Sequence, residues 1–451
     1  MKISPVPLAL LLLPLASVAF KLPFKLPPGI ENLKIRFESI ELPQFIRNIA
    51  DPISTSPLFS LHKSLIEIPS ISGSEREVGE WLANYLISKN FTVETQSVSD
   101  DGGRFNVFAY LGKNRTTNTL VTSHIDTVPP YIPYEYRGSS GSIHGRGSND
   151  AKSSVASQIT AVQELISEKI ISEGDVSLLF VVGEETIGDG MKAANSLGPV
   201  WKSVIFGEPT ENKLAVGHKG IVMFDVIAEG KASHSGYPQL GVNANSNLIR
   251  ALYNLQNLGL PSSDLLGEST MNIGRIEGGV AANVISPYAT ASVLVRVAGD
   301  LGETVALIKK SVEDLPVELK FLSVSYGPQH LDYEVEGFQT TVCSYGTDIP
   351  NLHGEHKRYL YGPGSIITAH GDNEYILKSD LVEAVAGYKK LIKESLWPTK
   401  RVPSIIEEIV VIEEIVTPVS SSATVVDSDK ETEEAKPEGV EPQTFAESGE
   451  L

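Results

Sequence analysis

Apolar positions along this chain fall into two kinds of run. Segments 92–94, 105–110, 119–122, 176–182 and 203–206 are short and rich in β-branched and aromatic residues, the pattern of strands in a buried sheet. Segments 75–89 and 152–168 instead repeat their apolar residues at helical spacing. Strands that alternate with helices in this way predict an α/β domain with a mainly parallel sheet. From Gly220 the texture changes: strands at 221–228, 271–277, 289–297 and 319–326 alternate with helices at 241–258 and 304–315. That stretch reads as a compact α+β insert. After it the chain returns to the first domain and ends in a helix at 379–393. No internal repeat is evident.

The two ends differ from this body. Residues 1–19 carry Lys2, then a leucine-rich apolar run from Val6 to Leu15, then Ser17-Val18-Ala19, which is the layout of a secretory signal peptide. The apolar run falls short of the roughly 20 residues a membrane span needs, and prolines interrupt it. Residues 20–55 read as an arm or propeptide. The formal charge of the 451-residue chain is −19, and residues 403–451, with 13 acidic and two basic side chains, carry −11 of it. The span 399–451 is therefore expected to be an acidic, largely disordered tail. An acidic chain does not suit the phosphate backbone of a nucleic acid. The single cysteine, Cys343, excludes an internal disulfide and a paired-cysteine metal site. Asn90-Phe91-Thr92 and Asn114-Arg115-Thr116 are acceptor triplets for N-glycosylation, with Asn90 and Asn114 as the modified residues of a secreted chain.

Five short motifs in the body concentrate carboxylates and imidazoles just after strands, where α/β folds place their sites. Leu120–Pro129 contains His124-x-Asp126, two residues that project to one side of an extended strand. Gly145–Lys152 contains Asp150 immediately before a helix, and taken alone this aspartate reads as an N-cap. Val181–Thr186 contains adjacent Glu184 and Glu185, which repel each other unless a cation or a proton is shared. Val204–Thr210 contains Glu208, and Ala369–Tyr375 contains His370 in a loop of small residues. Mixed nitrogen and oxygen ligands of this kind suit zinc.

In this order the motifs resemble the zinc metallopeptidase family M20, which includes acetylornithine deacetylase, succinyl-diaminopimelate desuccinylase, aminoacylase and glutamate carboxypeptidase. The resemblance spans about 58–396. It implies a catalytic domain with a mainly parallel sheet and helices on both faces, formed by 56–218 and 328–398. A lid or dimerisation domain at 219–327 interrupts it. It also implies two zinc ions per subunit, with His124 and Glu208 on one, Glu185 and His370 on the other, and Asp150 between them. Asp126 would orient His124, and Glu184 would be the general base.

Within the insert, Gly230–Pro238 resembles the lid motif whose histidine, here His234, polarises the scissile carbonyl, in some relatives from the partner subunit. Asn283 and Arg296 match segments that meet the substrate carboxylate. Departures from the family pattern, Ala151-Lys152-Ser153-Ser154 after Asp150 and Ser286 before Pro287, touch no ligand position. The implied activity is that of a secreted, extracellular carboxypeptidase that cleaves next to a C-terminal amino acid with metal-activated water. An N-acyl amino acid deacylase is the alternative, and a non-catalytic binding protein on the same fold is the alternative of another class. A homodimer through the insert, and no membrane span, complete the expectation.

Overall fold

The computed structural model describes residues 56–398. The expected signal peptide at 1–19, the arm or propeptide at 20–55 and the acidic tail at 399–451 lie outside the described residues. Helix α1 (Pro57–Glu67) opens on a proline, whose fixed φ suits the first helical turn. Helix α2 (Arg76–Ser88) follows, then strands β1 (Phe91–Ser97), β2 (Phe105–Leu111) and β3 (Thr119–His124). Two short strands, β4 (Glu135–Arg137) and β5 (Ser142–His144), precede helix α3 (Lys152–Ser167). Strand β6 (Val176–Val181), the short helix α4 (Asp189–Ala194) and strands β7 (Ser203–Phe206) and β8 (Leu214–His218) lead to the insert.

The insert consists of β9 (Gly220–Glu229), α5 (Ala244–Gln256), β10 (Thr270–Gly278), β11 (Tyr288–Val297), α6 (Leu301–Ser311) and β12 (Glu318–Tyr326). The chain returns through β13 (Gln329–His330), β14 (Thr340–Cys343), β15 (Lys357–Leu360), β16 (Tyr375–Leu377) and α7 (Lys378–Leu396).

The main sheet has the order β1-β2-β6-β3-β7-β15. β1, β2 and β6 pair antiparallel, whereas β6, β3, β7 and β15 run parallel. Successive side chains on these strands enter two separate cores. Val121, Leu178, Phe180 and Ile205 face one core, with residues of α1, α2, α3 and α7. Leu120, Leu179, Val181, Val204 and Phe206 face the other, which is closed by α4, Trp201 and Ile349. Helices therefore lie on both faces but unequally, four long ones against one of six residues. Full burial on both faces explains why these strands read as continuous apolar runs. Gly207 and Gly362, at the ends of β7 and β15, leave room for Ser154 of α3 and the Tyr388 hydroxyl, where any Cβ would collide.

The insert has its own antiparallel sheet, β10-β11-β9-β12, and its own core, in which Val222, Phe224 and Val226 pack on Leu248, Leu252 and Ile308. Its β9 alternates buried and half-buried residues, as a sheet covered by helices on one face should. Side chains cap both helices: Asn243 accepts from Ser246 N–H at 3.3 Å, and Asp300 from Glu303 N–H at 2.7 Å. Two small sheets, β13-β8-β14 and β16-β5-β4, complete the described residues.

Candidate metal centre

The parallel strands β6, β3, β7 and β15 end on one side of the main sheet, where His124, Glu184, Glu185, Glu208 and His370 lie at or after their ends, and Asp150 comes in on the loop that follows β5 of a small sheet. His124 is the last residue of β3, 1% exposed, and its Nδ1 lies 3.0 Å from the Asp126 carbonyl oxygen and 3.5 Å from its carboxylate. A proton on Nδ1 directed there would leave the Nε2 lone pair for a metal ion. It faces Asp150 Oδ1 at 3.1 Å and Glu208 Oε1 at 3.8 Å. His370 Nε2 faces the other oxygen of the same aspartate, Oδ2, at 3.3 Å, and Glu185 Oε2 at 3.0 Å. Asp150 thus stands between two imidazoles, one oxygen toward each.

The groups His124–Asp150–Glu208 and Asp150–Glu185–His370 each bring their ligand atoms within 4.8 Å of one another. These distances fit two cations that share Asp150, and the electrostatics fit as well. Five carboxylates (Asp150, Glu184, Glu185, Glu208 and Asp348) line a cleft of about 210 Å³, and among its lining residues Arg296 is the one lysine or arginine. Burial, and then the neighbouring carboxylates, push Glu184 and Glu208 well above the usual carboxylate range. Burial, then Asp150, raises Glu185 despite the His370 contact, and its Oε1 is buried without a partner. Hydrogen bonds to Asp150 and Glu185 push His370 up to about 10. The same two histidines, opposing its burial, hold Asp150 well below the usual range. Carboxylates pushed toward protonation beside imidazoles pushed toward charge are what a pair of cations would relieve.

The Asp126 carboxylate mainly holds backbone. It accepts the Glu184 N–H and Glu185 N–H at 3.2 Å each and the Ser72 hydroxyl at 2.7 Å, fixing the turn that presents both glutamates. Arg104, which bonds both Glu75 and Asp189, braces that turn from outside.

Asp150 is not the helix cap that its position alone predicted. The N-cap of α3 is Ala151, without a side-chain cap, because the Asp150 carboxylate is turned into the cleft. Arg296 reaches the cleft from the insert, beside Tyr326 and Asp348. His234 and Asn283 do not. They are neighbours across a bridge between His234 and Val284, on an exposed part of the insert, and neither lines the cleft. Asn90 and Asn114 are exposed.

Three functional candidates escaped the sequence reading. Asp348, pushed up to about 7 by burial, lines the cleft with its Oδ2 unpartnered. Arg146 and Glu374 form a buried ion pair at 2.7 Å beside Asp150. Both lie inside motifs already singled out, but nothing local marks the two as partners 228 residues apart.

The peptidase dimerisation domain of M20 peptidases matches residues 216–319, and peptidase family M28 matches 106–206. A peptidase M20 domain-containing protein of Schizosaccharomyces pombe is 54% identical over 343 residues, covering 75% of this chain and 85% of its own. A probable carboxypeptidase of Aspergillus flavus is 46% identical over 384 residues, with coverage of 76% and 89%. Among solved structures, a tripeptidase from Staphylococcus aureus superimposes with a TM-score of 0.64 at 19% identity, covering 75% of this chain and 98% of that one. An M20 family metallo-carboxypeptidase from Sulfolobus solfataricus gives 0.61 at 16% identity, with coverage of 76% and 99%. A dinuclear metal binding peptidase from Bacillus subtilis gives 0.56 at 15%, with coverage of 75% and 97%. From the two sequence relatives, and with the fold and the cleft in agreement, the chain belongs to the M20 peptidases, a family of dinuclear metal hydrolases.

Proposed function

We propose that the protein is a secreted, zinc-dependent exopeptidase that removes C-terminal amino acids from peptides. The observation that carries the reading is the placement of Arg296 in one cleft with Glu184 and the Asp150-centred ligand pair. A guanidinium offers a fork of donors to a free carboxylate, so an amide next to that carboxylate is the bond brought to the site. The probable carboxypeptidases among the relatives favour a peptide over an N-acyl amino acid.

His124, Asp150 and Glu208 would hold one zinc, and Asp150, Glu185 and His370 the other. Bound there, zinc supplies a Lewis acid for the carbonyl oxygen and lowers the pKa of water at the site. Glu184 accepts the proton of the attacking water and returns it to the departing amine, so the proton count closes. Asp126 keeps Glu184 and Glu185 in register by holding their N–H groups. Tyr326 and Arg296 bring the insert to the cleft wall, so that movement of the insert changes access for water.

His234 and Asn283, exposed and away from the cleft, would serve it from a second subunit. A dimer through the insert is supported by edge strand β10, which exposes Ile276, and by α5, which exposes Ile249 and Tyr253. No helix among the described residues is long and apolar enough to cross a membrane. Secretion rests on the 1–19 reading, and the exposed Asn90 and Asn114 would then carry glycans.

The test is product analysis on N-blocked dipeptides and N-acetyl amino acids, with protein recovered from culture medium. Release of C-terminal amino acids from the dipeptides is expected. Turnover confined to N-acetyl amino acids would make the protein a deacylase, and protein found solely inside the cells would overturn secretion.

A further inference from the structure

Of the two aspartate-facing histidines, His370 has little local support. Its side chain is 52% exposed, and its φ of 63° places a non-glycine residue in the left-handed region, a conformation that persists where the surroundings impose it. Asp150 likewise sits on a loop, Gly145 to Ala151, rather than on a strand.

The two loops meet at one buried ion pair. Glu374 Oε1 accepts three backbone N–H groups of the Asp150 loop: Gly147 at 3.0 Å, Asn149 at 3.0 Å and Asp150 itself at 3.1 Å. Its Oε2 takes Arg146 Nη1 at 2.7 Å. Arg146 then reaches into the His370 loop, where Nη2 donates to the His370 carbonyl at 3.4 Å and Nη1 to that of Gly371 at 3.3 Å. Its Nε donates to the Pro130 carbonyl at 3.2 Å. The register of β16 on β5 (Tyr375 opposite His144) sets Glu374 beside Gly145, and Asn149 Nδ2 adds a bond to the Ser365 carbonyl at 2.6 Å.

A buried ion pair is weak evidence for stability, because desolvation offsets most of its attraction. Here every side-chain hydrogen bond of the pair ends on the partner, on one of the two loops or on the Pro130 carbonyl. We propose that Arg146 and Glu374 are positioning residues that lock Asp150 and His370 into one unit, so that the two metal positions are formed together. The proposal rests on the reading of Asp150 and His370 as metal ligands. By this arrangement a change at Glu374 is felt as lost metal affinity before it is felt as lost fold.

The experiment titrates zinc into the metal-free, full-length chain against a colorimetric chelator and records the melting temperature of the same sample. Glu374→Gln keeps the shape and one acceptor but removes the charge that Arg146 needs. Its zinc affinity should fall roughly 10- to 100-fold, as when a group that supports a ligand is lost, while the metal-free melting temperature moves by only a few degrees. Arg146→Lys, which keeps the charge but not the fork, should show a smaller loss of the same kind, and it provides the reading if Glu374→Gln does not fold. Zinc affinity within twofold of the unaltered chain in folded variants, with or without a lower melting temperature, would overturn the proposal. An unaltered chain that binds no zinc would instead overturn the ligand assignment beneath it.

Discussion

His124 and His370 approach the same aspartate from opposite kinds of structure. His124 ends a buried parallel strand: it pairs with Val181 of β6, and β3 is flanked by β7 on its other side up to Thr122. Glu208 follows two residues beyond β7 and is 7% exposed, so a buried strand end delivers it directly. His370 and Asp150 stand on loops, and their geometry depends on side-chain bonds between segments far apart in sequence. One half of the site is a by-product of the fold, whereas the other half had to be tied in place. In the proposed metal centre, sharing Asp150 makes the well-supported half depend on the less supported one.

The sharpest way to probe this is at Glu184, which both halves serve. Glu184→Gln should retain metal and fold yet lose about 10³-fold in kcat, within the range expected for a general base. Unchanged turnover would remove the assigned role. Next in size is the contrast in stability between the two histidines. His124→Ala should cost the metal-free protein about 2–4 kcal/mol in urea unfolding, because it empties a buried position and strands its carboxylate partners. His370→Asn also strands Asp150 and Glu185, but at a half-exposed position where solvent screens them and asparagine tolerates the left-handed backbone, so it should cost less, about 1–2 kcal/mol. Equal costs would erase the distinction between the two halves.

A third test uses pH. His62 lies under the Asp150 loop, its Nε2 2.8 Å from the Ser148 carbonyl oxygen, and burial lowers its pKa from 6.5 to about 4. A histidine whose folded pKa is depressed takes up its proton first in the unfolded chain. Its contribution is therefore intact above about 6.5, is lost as pH falls from there toward 4, and changes no further below. Between pH 7 and pH 5 this one group should remove about 2 kcal/mol of stability. His62→Gln should accordingly lose about that much less over the same interval, and parallel pH curves for the two proteins would refute the burial argument. The smallest effect is expected at Arg296→Lys, which keeps the charge but loses the fork. KM for a peptide should rise about tenfold with kcat little changed, whereas a fall in kcat alone would move Arg296 from binding to chemistry.

Most of this was legible in the sequence where the signal is local. Buried strands announce themselves by continuous apolar runs, and Glu184-Glu185 after Val182 stands out because adjacent carboxylates at a buried strand end need a reason. The insert was legible by its alternation, as in β9 and β11. What escaped was non-local or short. Strands β8, β14 and β15, of four or five residues, are too short for periodicity to show, whereas helix α1 carries its apolar residues at helical spacing (Leu58, Leu61, Leu65, Ile66) and was passed over. Asp150 read in isolation as a cap, because the preference of aspartate for helix starts is local and the two imidazoles that claim it are not. The partnership of Arg146 with Glu374 leaves no trace in spacing. Asp348, in a glycine-containing loop, looks like any turn aspartate until the fold closes over it. His234 and Asn283 matched motifs, yet their placement away from the cleft is set by the insert as a whole.

The central claim is that a pair of cations held around Asp150 makes this chain a hydrolase. The most direct test strips the purified protein with a chelator, restores zinc stepwise and follows bound metal and C-terminal amino acid release in the same samples. The account predicts no turnover in the stripped protein and recovery that completes at two zinc ions per chain. Full turnover with no bound metal, or none after both positions are filled, would contradict it.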